Sequence, residues 1–129
     1  WLFRNQNNIY SDTGGKTDKI DKSIIDTAIR ETVEETNGHL YSSKHNYEIC
    51  EKILKQEFKR QNPNPIYVDN CKYILYPLRL RYKNKFLSLK RFGDKEIHDD
   101  MQHSYHWLEK IPKNIHPRLY TIRNNIINL

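Results

Sequence analysis

Apolar residues recur at helical spacing in two parts of the chain, and each part has its own start and stop signals. The apolar face of the first consists of Ile25, Ala28, Ile29 and Thr32. Positions three and four residues apart share one face of an α-helix, so this spacing predicts an amphipathic helix. Ser23 followed by Asp26 is typical of a helix start, and Asn37 with Gly38 is typical of a left-handed helix end.

The second helical pattern covers residues 47–59, with Asn46 as its expected N-cap. Its apolar positions are Tyr47, Cys50, Ile53, Leu54 and Phe58. The sequence Asn-Pro-Asn-Pro at residues 62–65 then ends the helix, because proline lacks the amide hydrogen that a further turn would need.

Short apolar or alternating runs around these helices predict strands. They are expected at residues 1–4, near residues 9 and 10, and at 66–68, 73–82 and 103–108. His116-Pro117 opens a last helix that ends near residue 127. The pattern therefore predicts a protein of mixed α/β (α+β) class, and 129 residues suffice for one domain, residues 1–129.

The composition indicates where in the cell the protein is located more than which reaction it catalyses. The chain is 36% hydrophobic with a mean hydropathy of -0.93, which indicates a folded protein with much polar surface. No apolar run approaches the roughly 20 residues that cross a bilayer, and the N-terminus lacks the basic-then-apolar pattern of a signal peptide. We therefore expect an intracellular, cytoplasmic protein with no membrane partner.

The net charge of +6 indicates attraction to polyanions, nucleotides among them. It does not separate a nucleotide enzyme from a nucleic-acid binder, because the abundance of Asn, Lys, Ile and Tyr is typical of an AT-rich genome. Cys50 and Cys71 have no close spacing, which favours neither a disulfide framework nor a zinc site.

Three glutamates and an arginine fall within residues 30–35 of the first helix, Arg-Glu-Thr-Val-Glu-Glu. The spacing i, i+3 and i+4 places the three carboxylates on one arc, where they can converge on a cation that relieves their repulsion. Oxygen ligands favour Mg²⁺, Mn²⁺ or Ca²⁺ over Zn²⁺. The alternative is a solvated surface, but the preceding pair Gly14-Gly15 favours a site, because glycine permits positive φ and close backbone approach to a phosphate or metal.

The glycine pair and the acidic helix together make residues 14–38 similar to the Nudix box, the signature of the Nudix hydrolases. That signature is Gly, five residues, Glu, seven residues and then Arg-Glu-U-x-Glu-Glu-x-Gly-U, where U is a bulky aliphatic residue. The matching residues are Gly15, Arg30, Glu31, Glu34 and Glu35. Downstream, His106-Trp107-Leu108 resembles the late strand of the family.

The chain departs from the signature at several points. Asp21 stands near the place of the first glutamate, with one residue inserted after it. Thr32 occupies an aliphatic position, and Asn37 displaces the late glycine to Gly38. The family places a strand hairpin before its glycine pair, whereas thirteen residues precede the pair here, so the resemblance predicts an N-terminally truncated fragment.

The resemblance implies an α/β/α sandwich with a mixed sheet, and hydrolysis of a pyrophosphate bond in a nucleoside diphosphate linked to another group X. The cofactor it implies is Mg²⁺ or Mn²⁺. The metal ligands it implies are Gly15, Glu31, Glu34 and Glu35. Catalysis would then involve Glu31 and Glu34, with Arg30 orienting the carboxylates.

The general base varies within the family, and the sequence leaves it open. Besides Glu31, the candidates for a base or an extra ligand are Asp21, Glu96, Asp99 and Asp100. Two arginines and a tyrosine further along the chain are candidates for binding phosphates and stacking on a nucleotide base. The alternative is that they belong to a half-buried strand with a solvated basic face. The members of this candidate substrate-binding set are Arg79, Arg81 and Tyr82.

Three functions remain open at this point. The first is nucleotide pyrophosphohydrolysis. The second is removal of the 5' cap of mRNA by the same site, which the basic charge and a resemblance to Nudix proteins of large DNA viruses allow, and which would place the protein in a host cytoplasm. The third is a catalytically silent Nudix-like module that binds a nucleotide or RNA. Many members of the Nudix family form dimers, so a homodimer is one expected assembly.

Overall fold

The computed structural model describes residues 1–41, 46–80, 89–95 and 101–129. The strands in these ranges are β1 (Leu2–Gln6), β2 (Ile9–Ser11), β3 (Ile66–Val68), β4 (Tyr73–Leu75) and β5 (Ser104–Trp107). The helices are α1 (Ile24–Glu35), α2 (Tyr47–Gln61) and α3 (Arg123–Ile127). Turns of 3₁₀ helix lie at Asp69–Cys71, Leu89–Phe92 and Pro117–Leu119. The predicted mixture of helices and strands is confirmed.

β1 is the central strand of an antiparallel sheet in the order β2-β1-β5. Asn7 and Asn8 join β1 to β2 with φ angles of 53° and 61°, a left-handed conformation that asparagine tolerates better than most residues. β5 comes from a distant part of the sequence and pairs along β1, with Leu2 opposite Trp107. This sheet therefore places residues 104–107 beside β1, whose other neighbour, β2, leads into the Gly14-Gly15 loop.

β3 and β4 form a separate antiparallel hairpin in which Val68 lies opposite Tyr73. The strand predicted at 73–82 ends after three residues, because Pro77 follows closely and cannot donate to a ladder. Both sheets are antiparallel, and parallel pairing within the described ranges is confined to a bridge between Tyr10 and Ile115.

α1 begins and ends where its sequence signals predicted. The Ser23 hydroxyl oxygen accepts a hydrogen bond from the Asp26 amide at 3.2 Å. At the other end, Asn37 takes a left-handed conformation with φ 52°, and the Gly38 amide donates to the Val33 carbonyl at 2.9 Å. This is the Schellman arrangement, in which asparagine replaces the usual glycine. The displaced glycine of the sequence is therefore accommodated without loss of the cap.

The buried face of α1 differs from the predicted one. Ile29 and Val33 are buried, whereas Ile25 is 39% exposed. The first turn of α1 extends past the core, and Thr27 is covered by the preceding loop through a hydrogen bond to Asp21. The core that α1 shares with α2 consists of Ile29, Val33, Leu40, Cys50, Leu54, Phe92 and Tyr105.

The remaining helices fit their predictions in part. Asn46 caps α2 through a 3.0 Å bond from the Ile49 amide, as predicted, and α2 continues two residues past the expected end. The helix expected after His116 is interrupted, because a 3₁₀ turn at Pro117–Leu119 precedes the short α3. None of the helices in the described ranges is long and apolar enough to cross a bilayer.

Candidate active site

Arg30 is the centre of a charge network on α1. Its Nε and Nη2 donate to the two carboxylate oxygens of Asp21 at 2.9 and 3.0 Å. Its Nη1 lies 3.2 Å from Glu31 Oε1 and 3.3 Å from Glu34 Oε2. Its Nη2 also donates to the Lys16 carbonyl at 3.0 Å. One guanidinium therefore fixes the loop before α1 against two glutamates of the acidic face.

Asp21 has both carboxylate oxygens occupied. Its Oδ2 accepts from the Asp18 amide at 2.8 Å and from the Thr27 hydroxyl at 3.0 Å, in addition to Arg30. These bonds, the one from Arg30 foremost, hold the pKa of Asp21 well below its usual range. In the structure, Asp21, a candidate base or metal ligand from the sequence, therefore supports Arg30.

Glu31 lies directly against the backbone of Gly15. A Cβ atom at Gly15 would overlap the Glu31 carboxylate, so only glycine allows this approach. Of the two properties for which glycine was noted, positive φ and close backbone approach, the Gly14-Gly15 pair uses the close approach. Burial raises the pKa of Glu31, and the neighbouring Arg30 offsets part of the rise.

Gly14 is held by side chains that no sequence pattern associates with it. A Cβ atom at Gly14 would overlap the Tyr73 hydroxyl, which donates to Asp12 Oδ2 at 2.5 Å. Arg118 Nη2 donates to Asp12 Oδ1 at 2.9 Å, and its guanidinium lies 4.5 Å from the centroid of the Tyr73 ring. Residues from β4 and from the C-terminal 3₁₀ turn thus fix the start of the glycine loop.

Glu35 has partners other than those of Glu31 and Glu34. Its Oε2 accepts the Gly14 amide at 2.9 Å, and its Oε1 lies 3.5 Å from Arg4 Nη1. Its backbone carbonyl accepts the Tyr105 hydroxyl at 2.8 Å, and Arg4 Nε donates to His103 Nδ1 at 3.1 Å. Glu35 therefore connects α1 to β1, to β5 and to the glycine loop.

The structure brings together part of the predicted metal site. Glu31 and Glu34 share Arg30 Nη1, and Glu31 meets Gly15, so these groups lie on one side of α1. Their oxygen atoms, with the Gly15 carbonyl, fit the preference of Mg²⁺ or Mn²⁺ for hard donors. Glu35 does not join them, and in the described ranges no three Asp, Glu, His or Cys side chains form a group that would hold a metal ion.

The other candidates lie elsewhere. Gln61 bonds the backbone amide and carbonyl of Arg79, at 2.8 Å each, and so fixes Arg79 beside the end of α2. Five of the predicted residues lie outside the residues that the structure describes. They are Arg81, Tyr82, Glu96, Asp99 and Asp100.

A comparison of the chain with protein-family models finds no match, and searches among curated proteins and solved structures find none either. The resemblance to the Nudix box therefore rests on residues 14–38 and on the contacts that they make.

Proposed function

We propose that the chain is a Nudix-type pyrophosphohydrolase of α/β/α sandwich fold. It uses Mg²⁺ or Mn²⁺ to hydrolyse a pyrophosphate bond in a nucleoside diphosphate linked to another group, in the cytoplasm. The observation that carries the proposal is the contact of Gly15 with the Glu31 carboxylate, beside a guanidinium that Glu31 and Glu34 share. Carboxylate pairs on a helix are common, and the close contact with a glycine backbone is the feature that this pair adds.

The residues that would hold the metal are Glu31, Glu34 and the carbonyl of Gly15. When bound, the metal neutralises the pyrophosphate and lowers the pKa of a water molecule. Arg30 holds the carboxylates of Glu31 and Glu34 in position, and Asp21 in turn holds Arg30 in place. Glu35 has a positioning role, because its carboxylate fixes the Gly14 amide at 2.9 Å.

Glu31 is the general base in this proposal. Burial raises its pKa, and a carboxylate with a raised pKa is a stronger base. Arg30 Nη1 donates to Oε1. Oε2 is therefore the atom assigned to accept the proton of the attacking water.

The test is metal-dependent release of products from a panel of nucleoside diphosphate derivatives. Capped RNA belongs in the panel, because the net charge of +6 favours a polyanionic substrate. We expect Glu31→Gln and Glu34→Gln each to lower the rate about 100-fold or more. Glu109→Gln, an exposed glutamate outside the site, is the matched control and should retain the rate.

Two results would reject this assignment in different ways. Hydrolysis that survives both substitutions would place the reaction at another site. A protein that binds nucleotides with the metal and hydrolyses none of the panel would be the silent binding module instead.

A further inference from the structure

A polar cleft of about 240 Å³ adjoins the glycine loop. The residues of its wall that matter here are Arg4, Gly14, Glu35, His116 and Arg118. Gly14 precedes the residue that contacts Glu31, and Glu35 follows Glu34 on α1. A group bound in the cleft would therefore lie next to the proposed hydrolytic site.

The cationic side chains of the cleft are already balanced by carboxylates. Arg4 Nη1 lies 3.5 Å from Glu35, and Arg118 Nη2 lies 2.9 Å from Asp12. The cleft thus offers no excess positive charge for a further phosphate. Its volume of about 240 Å³ is also below the roughly 300–1,000 Å³ of pockets for drug-sized ligands, which suits a group the size of one base.

His116 lies in the wall of this cleft and carries a ring N–H that can donate a hydrogen bond. Its Nδ1 accepts the Arg118 amide at 3.1 Å, so the ring proton of the neutral imidazole lies on Nε2. Burial and the nearby Arg118 guanidinium lower the pKa of His116, which favours that neutral form. Within the described ranges, neither His116 Nε2 nor Arg118 Nη1 has a hydrogen-bond partner. Two donors therefore remain for a ligand.

We propose that the cleft binds the base of the nucleotide and prefers a 6-oxopurine, such as guanine or hypoxanthine, to adenine. His116 Nε2 and Arg118 Nη1 donate to the acceptors O6 and N7 of a 6-oxopurine. Adenine carries an amino group in place of O6, which would set a donor against a donor. The inference rests on the proposed function, since it assigns the nucleoside part of that substrate.

The test uses inosine and adenosine, which differ at position 6 of the purine, in an NMR titration of the metal-free protein. We expect inosine to shift the His116 and Arg118 signals and to bind about tenfold more tightly than adenosine, the effect of one hydrogen bond. His116→Asn keeps an acceptor for the Arg118 amide and removes the ring donor. It should weaken inosine binding about tenfold and abolish the preference.

His106→Asn is the matched control, because His106 lies on β5 and does not line the cleft. It should bind inosine as the unchanged protein does, and the amide spectrum of each variant reports whether it is folded. Equal binding of the two nucleosides, or inosine binding that survives His116→Asn in a folded protein, overturns the inference.

Hydrolysis assays separate this inference from the proposed function. A protein that hydrolyses nucleotides without discriminating inosine from adenosine retains the proposed function and loses the base assignment. A protein that binds inosine selectively and hydrolyses nothing retains the base assignment and loses the proposed function.

Discussion

The guanidinium of Arg30 and the carboxylate of Asp21 form a bidentate pair, with Nε to Oδ1 at 2.9 Å and Nη2 to Oδ2 at 3.0 Å. In the proposed function, Asp21 stands in the place of the first glutamate of the Nudix box, and both of its carboxylate oxygens contact Arg30. In the proposed site, Asp21 would then act on Glu31 and Glu34 through Arg30.

Asp21→Asn should make the free energy of unfolding less dependent on pH in the acid range. The pKa of Asp21 is lowered in the folded state, so its stabilising contribution is complete above the unfolded value of about 3.9 and is lost as the pH falls through the folded value. The variant should unfold at lower urea concentration than the unchanged protein at neutral pH. That difference should shrink as the pH is lowered toward about 2.

Asp69→Asn removes the same charge at an exposed position and serves as the control. A difference between Asp21→Asn and the unchanged protein that stays constant across this pH range would contradict the assigned pair.

Glu31→Gln should stabilise the protein at neutral pH while it lowers the rate of the proposed hydrolysis. Burial raises the folded pKa of Glu31 above its unfolded value, so its charged form opposes folding above the folded pKa, and this cost disappears as the pH falls. The melting temperature of the variant should exceed that of the unchanged protein at pH 7, with a smaller gain in acid. Added Mg²⁺ should raise the melting temperature of the unchanged protein only. A variant that melts lower at pH 7 would contradict the assigned burial cost.

Glu35→Ala and Glu34→Ala should differ in stability although the residues are adjacent. The side chains of Arg4 and Glu35 are 11% and 6% exposed, so removing Glu35 leaves a nearly buried cation and should cost about 3 kcal/mol. The Glu34 side chain is 31% exposed, so removing it should lower the free energy of unfolding by less than about 1 kcal/mol. Urea denaturation measures both, and equal costs would show that Glu35 is not an anchor.

Gly15→Ala should separate activity from stability. The added methyl group would displace the end of the flexible Glu31 side chain, so we expect a rate about 100-fold lower and a change in stability below about 1 kcal/mol. Gly14→Ala is the matched comparison, because its methyl group would displace the buried Tyr73 hydroxyl from Asp12. It should lower both the rate and the melting temperature. Full activity of Gly15→Ala would remove the main support for the proposed site.

Local signals in the sequence predicted the features that depend on neighbouring residues. The caps at Ser23 and Asn46 and the left-handed end at Asn37 were correct, because each is a side-chain or backbone bond within a few residues. Sequence reasoning was sufficient wherever the deciding contact was local.

Periodicity failed where a distant partner decides the orientation. Glu31 and Glu35 share one arc of a helix, yet Glu35 faces Arg4, a residue of β1, and so leaves the other carboxylates. No spacing within α1 contains that information. The residues that support the glycine loop, Tyr73 and Arg118, could not be predicted for the same reason. They bind Asp12 from sequence separations of 61 and 106 positions.

The sequence separation of 106 positions between Asp12 and Arg118 also sets the order of events during synthesis. Bringing such distant residues together is slow, because the entropy of the closed loop is lost before any contact repays it. A ribosome-bound chain can form α1 early, but it cannot complete the glycine loop or the cleft until residue 118 has left the exit tunnel. The nucleotide binding that we propose should therefore appear late and abruptly in a nascent chain.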